Sequence, residues 1–391
     1  MEELVNEVQS ELINHILPFW MRLIDKTYGG FFGRVDGNLN IDEKSSKGAV
    51  LNSRILWAFS ASFNVLSNEE YLVYAHQAYK FLIEKLIDKK FGGLYWSVDF
   101  RGHPLDRRKH IYNLAFAVYA LSEYYLATHK DEVKSLLIDL FNLIETKGKD
   151  FNGYLEEFDE KWNKKSNDLL SEFGINSQRT MNTHLHLLEA YTNLYKLWES
   201  NEVLQSIKNI IDIFERKIFS QESDSFKVFF DSEWNSLINL KSYGHDIEAT
   251  WLINRALDIT KIESHSIIEV IRRVGKKVYK EALKSNSIIY ESLNGVINTN
   301  RIWWAQTEAV IGFINFSQVF GNKTFFNSAI NIWIFIKNHL IDKRLEGEWF
   351  SKVSGHLKNY PNDNIVDAWK CPYHNTRMCL EVIKRINAYR S

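Results

Sequence analysis

The sequence has few of the residues that interrupt helices. It contains 4 proline and 18 glycine residues among 391, well below the average usage of about 5% and 7%. A chain with so few helix breakers is expected to be mainly helical. Aromatic residues are abundant by contrast, with 12 Trp, 18 Tyr and 25 Phe. The predicted helices therefore carry many flat side chains that can pack together or bind a ligand.

Cysteine is scarce as well, since Cys371 and Cys379 are the only two. Two cysteines build neither a disulfide framework nor a four-cysteine zinc site. No segment has the roughly 18 uncharged apolar residues of a membrane span. The first residues, MEELVNEVQSEL, lack the basic start and apolar stretch of a signal peptide. These absences predict a reduced, soluble, cytoplasmic protein with no membrane partner.

The chain carries no excess charge of either sign. Lys and Arg total 48 and Asp and Glu total 49, which gives a formal net charge of -1. Nucleic acids and anionic membranes attract basic proteins, so neither is an expected partner. Hydrophobic residues make up 45% of the chain, and no Pro-, Gly- or Ser-rich linker divides it. We expect a single domain over residues 1–391 that functions as a monomer.

Helical periodicity alternates with short aromatic clusters. GGFFGRVD from Gly29, GGLYWSVD from Gly92 and NGYLEEFD from Asn152 are typical of small hairpins in loops. Between such clusters the 3.6-residue period predicts six helix pairs: 2–24 with 50–64, 69–87 with 109–127, 131–147 with 180–198, 203–217 with 244–259, 263–284 with 303–320, and 324–340 with 373–387. This repeat predicts an all-α fold, either an (α/α)6 barrel of six helical hairpins with short β-hairpins in the loops or an open solenoid.

Polar and aromatic side chains recur near the starts of the second helix of each pair, which we take as the inner helices. In SYGHDIEATW, for example, His245 and Glu248 lie one turn apart and share a helix face. In a closed barrel the inner helices would bring such residues to one axis. The candidate site residues at these starts are Arg54, Tyr112, Asn182, His186, His245, Glu248, Trp304, Glu308 and His374.

Taken singly, each of these residues is more often structural than functional. His184 points about 200° away from His186 on a helix, so the two cannot serve one site and His184 is expected to be structural. The functional interpretation depends on three histidines and an arginine at equivalent helix ends. The other histidines are expected to be solvated on outer helices or loops: His15, His76, His103, His110, His129, His265, His339 and His356.

The motifs NSRILWAFS, MNTHLHLLEAYTNLY, SYGHDIEATWL and WKCPYHNTRMCLE resemble those of the N-acylglucosamine 2-epimerase family, and within it the cellobiose 2-epimerases. The resemblance extends from about residue 10 to residue 387 and implies the (α/α)6 barrel. It implies that His245 and His374 are the acid/base histidines and that His186 lies near the reacting oxygens. Sugar-contacting or orienting positions are implied for Arg54, Tyr112, Asn182, Glu248, Trp304, Glu308 and Trp369.

The implied reaction inverts C2 of the reducing-end glucose of a β-1,4-linked disaccharide, cellobiose to glucosyl-mannose or lactose to epilactose. After ring opening, one histidine removes the C2 proton and the other returns a proton to the opposite face. Arg54 and His186 would bind the oxygens of the cis-enediolate intermediate. Glu248 is expected to orient His245, and Asp246 to be structural. The expected partner is a small oligosaccharide, and this chemistry requires no metal or redox cofactor.

Three alternatives remain open. The first is an N-acylglucosamine or mannose epimerase or isomerase of the same fold. The second is a glycoside hydrolase or lyase, although a hydrolase needs two opposed carboxylates and the inner-helix positions favour histidines. The third is a carbohydrate-binding helical-repeat protein without catalysis, which gives no reason for three histidines and an arginine at equivalent helix ends.

Overall fold

Six helix pairs make up most of the molecule. The computed structural model describes residues 1–167, 169–360 and 362–390. The outer helices are α1 (Glu2–Glu11, a π-helical turn Leu12–Ile16, and Leu17–Arg22), α3 (Glu69–Phe81 and a π-helical turn Leu82–Leu86), α5 (Asp131–Lys147), α7 (Asn201–Ile213 and a π-helical turn Phe214–Ile218), α9 (His265–Glu281) and α11 (Lys323–His339). The inner helices are α2 (Ala49–Leu66), α4 (Ile111–Thr128), α6 (Met181–Leu197), α8 (Tyr243–Thr260), α10 (Trp303–Phe320) and α12 (Tyr373–Arg390).

The inner helices form a closed ring, because each packs against the next and α12 packs against α2. An inner helix is buried on almost every side, and residues 49–62 of α2 are all buried. Outer helices have a single apolar face, as in α9, where Ile267, Val270, Ile271, Val274 and Val278 are buried. This arrangement confirms the (α/α)6 barrel and excludes the open solenoid. None of the described helices has the length and apolar character needed to cross a membrane.

Short antiparallel strands fill the loops at the N-terminal end of the inner helices. They are β1 (Lys47–Gly48), β2 (Ser97–Val98), β3 (Pro104–Asp106), β4 (Lys109–His110), β5 (Lys149–Asp150), β6 (Gly153–Tyr154), β7 (Glu157–Phe158), β8 (Arg179–Thr180), β9 (Phe219–Ser220), β10 (Ser225–Phe226), β11 (Phe229–Phe230), β12 (Leu240–Ser242), β13 (Leu283–Lys284), β14 (Ser287–Ile288), β15 (Glu291–Leu293), β16 (Val296–Asn298), β17 (Arg301–Ile302) and β18 (Lys352–Val353). The expected β-hairpins are thereby confirmed.

Strand pairing links each loop to the next around the ring. The strand that precedes an inner helix pairs with a strand of the following loop, in the pairs β1–β2, β4–β7, β8–β11, β12–β15 and β17–β18. The series closes where Val366, before the last inner helix, pairs with Val35 in the first loop. The loops therefore repeat the circular order of the helices and hold the inner helix starts together.

The structure corrects the expectation that His110 is solvated. His110 is fully buried and is the N-cap residue of α4, where its Nδ1 accepts the N–H of Tyr112 at 3.2 Å. Its Nε2 lies 3.2 Å from Oδ1 of Asn167, and burial lowers its pKa to about 4. A capping histidine in a polar loop segment has no periodic signal, which is why the sequence did not reveal it.

The expectation for His184 is confirmed, because both of its ring nitrogens bind main-chain groups. Nδ1 lies 2.8 Å from the carbonyl oxygen of Thr180, and Nε2 accepts the N–H of Tyr154 at 3.2 Å. The remaining histidines expected to be solvated are exposed, apart from two that are half-buried, His15 and His339.

A basic residue lies two positions before five of the inner helices, and three of these residues bind an aspartate after the preceding outer helix. Lys47 Nζ lies 2.6 Å from Asp25 Oδ2 and Lys109 Nζ lies 2.6 Å from Asp88 Oδ2. Arg179 binds Asp150 in the same way at 2.7 Å. Because the lysine pairs are fully buried, each charge depends on its partner for stabilisation. These ion pairs join the end of one outer helix to the start of the next inner helix.

We predict that Lys109→Met lowers the free energy of unfolding by about 3–5 kcal/mol, because it leaves the buried Asp88 carboxylate unpaired. Urea unfolding followed by circular dichroism measures the loss. The matched control is Lys241→Met, since Lys241 lies 3.5 Å from Glu281 with 28% of its side chain exposed; its expected loss is about 0–1 kcal/mol. Adding Asp88→Asn to Lys109→Met should recover part of the loss, and equal losses in both single variants would contradict the role of the buried pair.

Candidate active site

The N-terminal ends of the inner helices surround a cavity of about 770 Å³. Nine of the ten site residues expected from the sequence line it: Arg54, Tyr112, Asn182, His186, His245, Glu248, Trp304, Trp369 and His374. The tenth, Glu308, is fully buried directly behind His374. The structure therefore brings the whole predicted set to one end of the barrel, although their catalytic and binding roles stay predictions.

His374 is held by a carboxylate. Its Nδ1 lies 2.7 Å from Oε1 of Glu308, whose Oε2 accepts the indole N–H of Trp251 at 3.0 Å. Burial, reinforced by the charge of Arg377, lowers the pKa of His374 well below its usual value. The neutral ring thus donates its Nδ1 proton to Glu308, and Nε2 is the nitrogen that can accept a proton.

His245 has a different partner from the one expected. Its Nδ1 lies 2.7 Å from Oγ of Ser242, the N-cap residue of α8. Glu248 instead binds Arg377 through Oε1, and its Oε2 has no partner among the described residues. The expectation that Glu248 orients His245 is therefore wrong, because the hydroxyl three residues earlier reaches the imidazole first. Burial lowers the pKa of His245 to about 3, so its ring is neutral.

His186 also lines the cavity and contacts the cavity floor, the name we give to a hydrogen-bonded group of five residues: Glu189, Glu248, Glu308, Tyr373 and Arg377. Its Nδ1 lies 3.0 Å from Oε2 of Glu189. Burial opposes ionisation of Glu189, but the charge of Arg377 and the contacts with His186 and Tyr373 together outweigh it and hold the pKa of Glu189 below its usual value. His186 therefore also has a carboxylate on Nδ1, which leaves Nε2 for a ligand.

Arg54 brings a buried positive charge to the cavity wall. Its Nη2 donates to the hydroxyl oxygen of Tyr112 at 2.7 Å, and its Nη1 to the main-chain oxygen of Trp369 at 3.3 Å. The guanidinium carbon lies 4.1 Å from the centre of the Phe116 ring. Because burial raises the pKa of Tyr112 to about 12, its hydroxyl keeps a proton that it can donate to a ligand.

Tryptophan side chains provide flat apolar faces beside these polar groups. The Trp304 ring lies between the two histidines, 4.7 Å from the His245 ring and 5.5 Å from the His374 ring. Trp369 lies at the rim with 37% of its surface exposed, 6.0 Å from the Tyr112 ring. Oδ1 of Asn182 has no partner among the described residues. Aromatic faces combined with free hydrogen-bonding groups suit a ligand with hydroxyls and apolar ring faces.

Sequence reasoning missed Arg377, Tyr373 and Ser242. Arg377 lies one turn after Tyr373, within the motif CPYHNTR. No other inner helix has an arginine at the equivalent position, so the comparison of repeats did not reveal it. Ser242 precedes the helix, where periodicity does not apply. Glu189 is different, because its spacing places it on the same helix face as Asn182 and His186. This spacing was a signal in the sequence that Glu189 belongs to the site.

Two glutamates of the cavity floor and His374 form a group with the composition of a metal site. One ligand atom each of Glu248, Glu308 and His374 lie within 4.8 Å of one another. The guanidinium of Arg377 contacts both carboxylates, with Nη2 2.7 Å from Oε1 of Glu308. At this position the chain itself supplies the positive charge that a cation would bring.

Comparisons with known proteins identify the family of the chain. The family model for N-acylglucosamine 2-epimerase matches residues 30–377. The cellobiose 2-epimerase of Dictyoglomus turgidum is 45% identical over 390 residues, which cover 99% of this chain and 100% of that protein. The structure of the cellobiose 2-epimerase from Bacillus thermoamylovorans superimposes with a TM-score of 0.96 at 45% identity, covering 98% of this chain and 100% of that one.

A more distant structure, that of a D-mannose isomerase, superimposes with a TM-score of 0.86 at 19% identity, covering 97% of each chain. At that identity it supports the barrel alone. The family model and the relatives at 45% identity extend over nearly all of the sequence. The chain belongs to the N-acylglucosamine 2-epimerase family and is an epimerase.

Proposed function

We propose that the chain, as one catalytic domain over residues 1–391, inverts C2 of the reducing-end glucose of β-1,4-linked disaccharides. It would convert cellobiose to glucosyl-mannose and lactose to epilactose. The observation that carries the proposal is the placement of Trp304 between His245 and His374, two neutral histidines that line the same cavity with Nδ1 already engaged. The relatives named cellobiose 2-epimerase support this choice of substrate.

The first part of the proposed mechanism is proton removal. Ring opening produces the aldehyde and makes the C2 hydrogen acidic. One histidine takes this proton through Nε2, and a cis-enediolate forms. Its negative charge raises the proton affinity of the other histidine, which takes a proton from solvent and delivers it to the opposite face of C2. The first histidine then returns its proton to solvent, so that the enzyme ends in its starting state.

Fixed charges would stabilise the intermediate. Arg54 and His186 bind the enediolate oxygens, where negative charge develops. Glu308 balances the positive charge that appears when His374 is protonated, since its carboxylate lies 2.7 Å from Nδ1. Other contacts hold the sugar: hydroxyls donate to Oε2 of Glu248 and Oδ1 of Asn182, the Tyr112 hydroxyl donates to an oxygen, and the two rings of the disaccharide stack on Trp304 and Trp369.

The alternative within the same family is an N-acylglucosamine or mannose epimerase or isomerase. Such an enzyme would use the same proton abstraction, and an isomerase would return the proton to C1 instead of C2. The monomeric state and the cytoplasmic location stay predictions from the sequence.

We predict that epimerisation of cellobiose in heavy water places deuterium at C2 of the glucosyl-mannose product, because the returned proton comes from solvent. Chromatography separates the products and NMR locates the label. Complete retention of the original C2 hydrogen would contradict the two-histidine mechanism. Other products identify the alternatives: a ketose disaccharide indicates an isomerase, free glucose a hydrolase, and unchanged cellobiose a binding protein.

We predict that His245→Ala and His374→Ala each lower kcat by at least ~10²-fold, the lower end for loss of acid–base assistance. Steady-state kinetics with cellobiose measures the loss, and circular dichroism checks that the variants are folded. His339→Ala, on the outer helix α11, is the control and should keep the wild-type kcat. Because each histidine serves one face, either site variant is expected to exchange the C2 proton of one epimer slowly without converting it. Wild-type turnover in either variant would remove that histidine from the mechanism.

We predict that Trp369→Ala raises KM for cellobiose roughly tenfold with little change in kcat. The reason is the loss of one stacking face at the rim, which is worth ~1.4 kcal/mol in binding. Trp369→Phe retains a flat ring and should keep most of the wild-type affinity. If the alanine variant shows unchanged disaccharide kinetics, Trp369 does not contact the substrate.

A further inference from the structure

Arg377 is a fully buried arginine of the cavity floor. Its guanidinium lies between two aromatic rings, 4.9 Å from the centre of Trp251 and 4.3 Å from the centre of Tyr373. It is absent from the residues that line the cavity, so it does not touch the proposed substrate. The planar guanidinium fits this position because it stacks on both rings while its edge donates hydrogen bonds.

The edge of the guanidinium binds carboxylates from three different inner helices. Nη1 donates to Glu189 of α6, and Nη2 donates to Glu248 of α8 and lies 2.7 Å from Oε1 of Glu308 of α10. Arg377 itself is on α12. One side chain therefore connects four of the six inner helices at the level of the cavity floor.

Two of these carboxylates are the partners of cavity histidines. Oε2 of Glu189 lies 3.0 Å from Nδ1 of His186, and Oε1 of Glu308 lies 2.7 Å from Nδ1 of His374. Oε1 of Glu308 thus faces Arg377 on one side and His374 on the other. Oε2 of Glu308 accepts the N–H of Trp251, so both oxygens face donors, and a proton on either oxygen would compete with one of them; these contacts therefore suit the ionised carboxylate.

We propose that Arg377 is a positioning residue: by holding Glu308 in place as a carboxylate, it fixes the Nδ1–H tautomer of His374. The proposal rests on the proposed epimerase function for its kinetic consequences, but not for its structural ones. With Nδ1–H directed to the carboxylate, Nε2 presents its lone pair to the cavity. A histidine in the other tautomer would present an N–H there and accept no proton from C2.

Electrostatics explains why the three carboxylates require the arginine. Burial, followed by repulsion from Glu308, raises the pKa of Glu248 to about 7, and burial also raises the pKa of Glu308, with Arg377 opposing both shifts. Removing the guanidinium would therefore favour protonation of the cluster. Other titratable and charged groups face this cluster of three carboxylates. They are Arg54 of α2, Tyr112 and Tyr119 of α4, His186 of α6, His245 and Arg255 of α8, and Tyr373 and His374 of α12.

The direction of the pH effect follows from these charges. Loss of Arg377 raises the pKa of Glu308, and it raises that of His374 as well, because Arg377 disfavours protonation of the ring. Both changes mean that the working state, with an ionised carboxylate and a neutral histidine, is reached only at higher pH. The acid limb of kcat should therefore move upward in Arg377→Met. Glu248→Gln removes a carboxylate that competes with Glu308 for the guanidinium of Arg377. The acid limb of kcat should therefore move downward in this variant.

The test compares Arg377→Met with the wild-type enzyme in two measurements. NMR of protein labelled with 15N-histidine reports which ring nitrogen of His374 carries the proton, whether or not the enzyme turns over cellobiose. We expect Nδ1–H in the wild type and a loss of that tautomer in the variant. In the kinetic measurement we expect kcat to fall at least about tenfold, KM to stay within about twofold, and the acid limb to rise by about one pH unit.

Arg179→Met is the matched control, because Arg179 is also a fully buried arginine, just before α6, but pairs with Asp150, at 2.7 Å, outside the cavity lining. It should lose stability while keeping the wild-type tautomer and pH profile. If Arg377→Met does not fold, Glu248→Gln carries the test through its opposite shift of the acid limb. The wild-type tautomer in Arg377→Met, or an unmoved acid limb in Glu248→Gln, would overturn the proposal. If the wild-type protein shows the expected tautomer but does not epimerise cellobiose, the proposed function is refuted and the positioning role of Arg377 is not.

Discussion

The architecture depends on the closure of the inner ring of helices. The strand before each inner helix pairs with the following loop, and Val366 pairs with Val35, so the six inner helices start at the same end of the barrel, while α12 packs against α2 and closes the ring. Helix starts present free N–H groups and the positive end of the helix dipole. This end of the barrel therefore suits carboxylates and a developing negative charge. The position of the cavity is a consequence of closure, and no single motif determines it.

Closure also buries ionisable groups, and the structure compensates for this in two ways. Outside the cavity, the basic residue before an inner helix binds the aspartate after the preceding outer helix, as Lys47 and Lys109 do. Beneath the cavity, Arg377 binds three glutamates at once. Since a buried charge is costly unless it is paired, these ion pairs allow a polar site to exist inside an aromatic core. The low pKa of His245 and His374 has the same origin, because burial disfavours the charged ring.

Periodicity was enough to predict the helix pairs and the convergence of the site residues, because both follow from spacing along one helix. It was not enough to predict contacts between helices. The partner of His245 is Ser242, just outside the helix, whereas Glu248, with the better helical spacing, binds Arg377. His110 and Arg377 are residue types that no other repeat has at the equivalent position, so their burial emerged only from the tertiary structure.

The two proposed proton carriers have unequal partners, and this inequality bears on the chemistry. His374 has an ionic partner in Glu308, which stabilises the protonated ring, whereas His245 has only the neutral hydroxyl of Ser242. The nearest partner therefore stabilises the protonated ring of His374 more than that of His245. Arg377 opposes this advantage, because its charge disfavours protonation of His374. The carboxylate and the guanidinium therefore act in opposite directions on the proton affinity of His374, whereas the nearest partner of His245 carries no charge.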